Sequence, residues 1–545
     1  MLAGAGFVFA QSAGMTVKTP VRHDVSPELF SLALAAPVSP VVSPPREMRK
    51  HGPLIDELIN VGGATYTAWP SVAATQSSTA GVPRFSATPG VNFEGLGSGF
   101  PGYSVAGAPP DTTMAVGPSH VVQWVNVHFA VFDKTGATLL PAPGFSAGNT
   151  IWAGFGGVCQ TTNRGDVLVQ YDHLADRWIF SQFAFNLDVF GNPAAPFVQC
   201  FAVSTTNNPM GAFNRYEYSF TEFNDYGKLG VWPDAYYMSY NMFNAITFAN
   251  TGAQACAYDR AAMIAGAPGA LSICTTTNFF AGGASLLPSD WDGTAAPPAG
   301  APNIFMRQST APALRLLKFH VDFVTPANST FNDGFGGAFG SFIALPIPGT
   351  VRACNGTGAA CIPQPGTTQQ LDTLGDRIMY RLAYRNRGGV DTLVNTQSID
   401  PDGAGPIQAA LRVYEIRNAF AAAPTLFQNF NYVPDSTNRW MGSVAMDKAG
   451  NMAIGYSVSD STTNPGIRIT GRLRSELRNR MQIESVIVNG SGSQVTPLDR
   501  WGDYSAMQVD PTDDCTFWYT TEYIGANGTF NWRTRIANFK FPGCQ

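Results

Sequence analysis

The sequence predicts an all-β fold, a β-propeller of seven four-stranded blades behind an irregular N-terminal extension, and three observations carry that expectation. The chain of 545 residues holds 56 Gly and 39 Pro, which demands many turns and leaves little room for long helices. With 45% hydrophobic and only 13% charged residues it can still bury a large core. One pattern also returns at roughly every 55 to 65 residues, a period that marks stacked repeats. A polar or acidic residue opens a short strand of small and apolar residues, the chain turns on Asp, Gly, Pro or Asn, and an aromatic-rich strand runs back.

Residues 1–10, within "MLAGAGFVFAQSAG", read as the remnant of a secretory signal peptide: an apolar run ends in Val8-Phe9-Ala10 ahead of Gln11, a small-x-small cleavage pattern. Residues 11–90 form a Pro-, Ala- and Ser-rich leader or linker in which "PVSPVVSPPREMRK", Pro37 to Lys50, reads as a polyproline-like spacer. Residues 91–545 are the expected propeller domain. Its units are "PDTTMAVGPSHVVQWVN" (Pro110 to Asn126), "RGDVLVQYDHLADRWIFSQFA" (Arg164 to Ala184) and "NDYGKLGVWPDAYYMSYNMF" (Asn224 to Phe243). A weaker fourth spans Ala301 to Phe323, and "GDRIMYRLAYRNRGGVDTLVNTQS" (Gly375 to Ser398) is the fifth. The sixth and seventh, "TNRWMGSVAMDKAGNMAIGYSVSD" and "DRWGDYSAMQVDPTDDCTFWYTTEYI", repeat one another most closely.

In a propeller the first strand of each blade lines the central channel, so the residues just before it gather at one mouth. Asp111, Asp166, Asp225, Asp376 and Asp503 occupy that position, with Arg439 and Trp440 in the sixth unit and Arg500 and Trp501 beside Asp503 in the seventh. Three readings stay open. The carboxylates can cap turns by accepting from backbone amides. They can bind an oxygen-ligated cation, for which calcium is the expected ion. Or they can bind, or supply acid and base to, an extracellular glycan or polymer, with Trp440 and Trp501 beside it.

The phrases "PPDTTMAVGPSHVVQWVN", "FNDYGKLGVWPDAYYMS", "RWMGSVAMDKAGNMAIGYS", "RWGDYSAMQVDPTDDCTFWYT" and "NWRTRIANFKFPGC" resemble those of uncharacterised secreted bacterial proteins, whose repeats are similar to sialidase or BNR-type β-propellers. The resemblance covers roughly Pro109 to Cys544. It implies a secreted or cell-surface glycan-binding protein or a sialidase-like glycoside hydrolase. The hydrolase would bring an arginine triad for a substrate carboxylate, which Arg377, Arg439 and Arg500 would supply, with Tyr504 as nucleophile and Asp503 as acid. Two departures stand against it: no S-x-D-x-G-x-T-W box occurs, and no Glu opens an inner strand. A structural or adhesive surface module without catalysis is the third class.

Eight cysteines, none in a CxxC or CxxCH spacing, predict disulfides rather than zinc or haem. Nearest-neighbour pairing within units gives Cys159 with Cys200, Cys256 with Cys274, Cys354 with Cys361, and Cys515 with Cys544. A formal charge of −5 and a pI near 5.7 leave no basic footprint for a phosphate backbone, so nucleic acid is not an expected partner. No P-loop implies a nucleotide, no run of residues is apolar enough to span a bilayer, and a monomer is expected.

Overall fold

A computed structural model describes residues 14–35, 45–47, 73–276, 285–309, 312–349, 351–356, 360–403 and 408–545. The predicted signal remnant and most of the polyproline-like spacer lie outside the described residues. Seven sheets surround an axis, and their innermost strands are Thr112–Val116, Leu168–Asp172, Phe223–Val231, Leu287–Trp291, Leu382–Arg387, Asn438–Met446 and Ala506–Val509. Each touches the next and the last touches the first, so the ring closes. The protein is a seven-bladed β-propeller.

Local sequence explains the layering. Inner strands crowd towards one axis, which favours short side chains such as those of "TTMAV", "GSVAM" and "AMQV". Second strands lie between blades and carry the bulky payload, as in "HVVQWV", "AYYMSYNMF" and "TFWYTTEYI". The core is therefore a set of interblade layers rather than one centre. Trp124, Phe129 and Phe180 fill the space between blades 1 and 2. Phe201 and Tyr258, with centroids 4.5 Å apart, join blades 2 and 3. Ile467, Tyr519 and Phe539 lie between blades 6 and 7.

A recurring backbone device marks four of the inner strands. Asp111 and Asp166 hold a positive φ of 46° just before the inner strands of blades 1 and 2, while Tyr226 and Met441 hold 54° and 53° within those of blades 3 and 6, where the pairing register shifts. This left-handed kink swings the chain from the outer rim to the axis, and an Asp tolerates it better than most residues. The Asp that leads the turn after an inner strand has a local task instead. Asp172 accepts from the amides of Leu174 and Ala175, and Asp447 accepts from that of Asn451.

The segment ahead of blade 1 donates strands to the ring. Met15–Lys18 adds a fifth strand to blade 3, Arg22–Val25 to blade 2 and Ala74–Gln76 to blade 5. Thr88–Glu94 is the fourth strand of blade 7 and crosses the boundary expected between extension and propeller. In blade 4 the expected unit holds the second and third strands, Asn303–Gln308 and Ala313–His320. Its inner strand is the earlier Leu287–Trp291, "LPSDW", whose proline and Asp obscure the small-apolar pattern. All four disulfides form as the nearest-neighbour rule predicts, and no free cysteine remains among the described residues.

Candidate functional site

The axis is filled through its middle and open at the mouth where the inner strands begin. The Tyr504 hydroxyl donates to the Val167 carbonyl across the ring at 3.0 Å, and the Tyr380 hydroxyl to the Leu229 carbonyl at 3.0 Å. Gln508 donates to Gln170 at 3.2 Å. Above this plug lies a cavity of about 350 Å³. Asp111, Asp166, Asp225, Asp503 and Arg500 line its floor, and Phe183, Phe185 and Phe223 one wall. The wall exists because strands Arg177–Leu187 and Pro193–Ser204 of blade 2 are long enough to rise past the mouth.

Three of the expected carboxylates meet. The Asp503 amide donates to Asp111 Oδ1 at 2.7 Å, and Asn126 donates to Asp111 Oδ2 at 3.1 Å. Asp166 Oδ2 accepts from the Tyr226 amide at 2.8 Å, so each of these carboxylates holds a backbone amide at the entry of another blade rather than capping its own turn. Burial pushes Asp111 well above the usual carboxylate range; the charges of Asp503 and Asp166 push the same way and Arg500 opposes them. Asp225 lines the same cavity, but Tyr226 takes the kinked position in its blade. Asp376 instead binds Arg377 through both oxygens, at 2.8 and 3.0 Å.

Arg500 lies between Asp372, at 3.0 Å, and Asp503, at 3.1 Å. Arg377 joins the same group from below, its guanidinium 4.7 Å from the centre of the Tyr226 ring. Arg439 does not. It pairs with Asp435 at 2.8 Å and Glu484 at 2.9 Å, on the outer side of blade 6. Trp440 and Trp501 are wholly buried and pack on each other at 5.5 Å, so they form part of the seam between blades 6 and 7 rather than a ligand platform. Tyr504 is buried under the floor, where burial raises its hydroxyl pKa.

Several functional-looking groups escaped sequence reasoning. Lys228, wholly buried on the inner strand of blade 3, sits 3.3 Å from the centre of the Tyr226 ring and 4.4 Å from that of Tyr504. Burial pulls its pKa down to about 8, against the attraction of Asp166, Asp503 and Asp111. Glu522, from the second strand of blade 7, accepts from the Gly502 amide and leaves Oε2 without a partner. Burial holds it well above the usual range. The available signal was a lysine, one of seven in the chain, within the Gly-Lys-Leu-Gly-Val stretch of a wholly buried inner strand. Among the described residues no group of three or more His, Cys, Asp and Glu side chains is arranged to hold a metal. Lys228 and Arg500 supply positive charge at this floor.

These environments set a pH dependence. Burial raises Asp372 to about 6 despite Arg500, and Asp290 to about 6 despite Arg381. Both titrate near 4 in the unfolded chain. Between roughly pH 4 and 6 the folded state therefore holds protons that the unfolded state has released, and stability falls as pH rises. Lys228 acts in another window: its lowered pKa penalises the charged form, a penalty relieved as pH rises above about 8. The expected result is a higher melting temperature at pH 5 than at pH 7. A melting temperature that rises over that interval would show that other ionisations dominate.

No protein-family model matches the chain, and no curated protein matches it. Among solved structures it is similar to the polysaccharide lyase Uly1, at 10% identity over 81% of this chain and 91% of that one, with a TM-score of 0.35. It is also similar to the WD40 domain of SCAP from fission yeast, at 8% identity over 79% and 85%, with a TM-score of 0.31. The parainfluenza virus 5 hemagglutinin-neuraminidase ectodomain follows at 10% identity over 78% and 90%, with a TM-score of 0.30. Likeness at this level carries no weight for function, and the propeller assignment rests on the closed ring of seven inner strands.

Proposed function

We propose that this is a secreted propeller that binds an extracellular glycan or polymer at the carboxylate-lined mouth of its channel. The observation that carries this reading is the cavity itself, whose about 350 Å³ joins a floor of Asp111, Asp166, Asp225 and Asp503 to a phenylalanine wall. Carboxylates accept hydrogen bonds from sugar hydroxyls, while aromatic faces cover the C–H side of a ring. Four disulfides accord with an oxidising compartment outside the cytosol. Among the described residues no helix is long and apolar enough to cross a membrane. Calcium enters the proposal as an ion held together with the ligand at the open mouth, since Lys228 and Arg500 already balance the charges beneath it. The sialidase-like reading has less support, because Arg439 points away from Arg377 and Arg500.

Asp503→Asn tests the proposal. The change removes one negative charge beside Asp111 and keeps an acceptor, so the melting temperature should move by only a few degrees. Glycan-array binding, followed by calorimetry on the best ligand, should lose tenfold or more in affinity. The same titration in a calcium chelator separates ion-assisted from ion-free binding. A variant that binds as wild type does would return Asp503 to a purely structural role.

A further inference from the structure

We infer a second binding surface, for an anionic polysaccharide, on the face opposite the carboxylate mouth, where arginines of blades 5 and 6 gather around Phe427. Arg387 ends the inner strand of blade 5, Arg417 ends its third strand, and Arg472 ends the third strand of blade 6. All three therefore sit at the far end of the strands from Asp111 and Asp503. Arg474 and Arg478 are exposed on the loop that follows. Two guanidinium groups lie over the Phe427 ring, Arg417 at 3.2 Å and Arg478 at 4.7 Å from its centre. The Arg387 guanidinium lies against Gly450 of the neighbouring blade.

The acids nearby are already committed. Glu415 accepts from Arg417 at 2.7 Å and from Gln428. Glu476 accepts from the Leu473 amide at 2.8 Å and from Gln482 at 2.9 Å. Arg387 and Arg472 each keep an Nε with no partner. The cations bear on one another as well: burial and the charges of Arg474 and Arg417 lower Arg387 from its ordinary value. In a chain of net charge −5, such a concentration of guanidinium groups is a local excess that an anion would relieve.

The chemistry favours a carboxylated or sulfated polysaccharide over other polyanions. Guanidinium forks match both groups through paired hydrogen bonds. Nucleic-acid bases need an open aromatic face to stack upon, and the Phe427 ring is already engaged by two guanidinium groups. A bilayer would need apolar anchors, and the exposed loop offers the single leucine Leu477. The disulfides accord with a compartment where acidic polysaccharides are the abundant repeating anions.

The test measures binding of dextran sulfate and polygalacturonate to the full chain, with neutral dextran, duplex DNA and phosphatidylglycerol vesicles as comparators. Wild type should bind at least one acidic polymer with a salt-dependent affinity and ignore neutral dextran. Arg474→Glu/Arg478→Glu should lose tenfold or more while melting as wild type, and Asp503→Asn should bind these polymers unchanged. Should the charge reversals disturb the fold, Arg474→Gln/Arg478→Gln removes the same two exposed charges without reversing them and should lose affinity in the same direction. Absence of binding to both polymers, affinity unchanged in the folded variant, or tighter binding to DNA or vesicles would overturn the inference.

Discussion

Lys228→Met should destabilise the protein by about 1 to 3 kcal/mol, less than the ~3 to 5 kcal/mol typical of removing one partner of a buried charge group, because burial already penalises the Lys228 charge. Lys228 is wholly buried and attracts Asp166, Asp503 and Asp111, which otherwise repel one another in a medium of low polarity. Methionine fills nearly the same volume, so little of the loss should come from a void. The sign with pH follows from the charges. Burial and its acidic neighbours raise Asp111, which favours its protonated form as pH falls, and the missing cation then matters less, so the loss should be smaller at pH 5 than at pH 8. A second change, Asp503→Asn, removes one of the uncompensated charges and should recover a large part of the stability. Urea denaturation of both single variants and the double variant at the two pH values measures the coupling. Equal losses at pH 5 and pH 8, with no recovery in the double variant, would assign Lys228 a packing role.

A chain that starts at Leu96 should fail to fold cooperatively, whereas one that starts at Ala80 should fold. The difference is strand Thr88–Glu94, which pairs with the last strand of the protein from Thr88 opposite Lys540 to Glu94 opposite Arg535. This pairing joins the beginning of the propeller to its end without a covalent bond. Removing it strips Trp532–Lys540 of a hydrogen-bonded neighbour and takes away Phe93, whose ring lies 5.3 Å from that of Phe132 in blade 1. The open edge would be a template for aggregation. Starting at Ala80 removes fifth strands from blades that already have four, together with the helix Leu29–Ala35 and the short pairing of Arg46–Glu47 with Gly107–Ala108, and leaves all four strands of every blade in place. Among the contacts it loses are the pairing of Asp24 with the buried Arg215, at 2.7 and 2.6 Å, and the burial of Leu29 between blades 1 and 2. Circular dichroism melts and size-exclusion profiles distinguish the two chains. A sharp transition at the same temperature in both would show that the ring does not depend on this strand.

What the sequence determined by itself is local in character. Blade count and order followed from a period of strand, turn and aromatic strand, because alternation and turn chemistry act over a few residues. The disulfide pairs followed for the same reason, each closing within a blade or its adjoining loop. The opening carboxylates were legible too, since Asp111 and Asp166 hold a left-handed backbone conformation directly before or two residues before their inner strands, which Asp tolerates better than most residues. Tertiary structure decided the rest. Arg439 and Arg500 share the same Arg-Trp phrase, yet Arg439 turns outward to Asp435 and Glu484 while Arg500 turns to Asp372 and Asp503. Lys228 and Glu522 reach the charged floor from strands that look like ordinary core, and Thr88–Glu94 finds its partner more than four hundred residues later. A side chain's neighbours across the channel depend on how each blade is rotated against the next. That rotation is set by interblade packing, which brings together residues whose separation along the chain carries no trace of the contact.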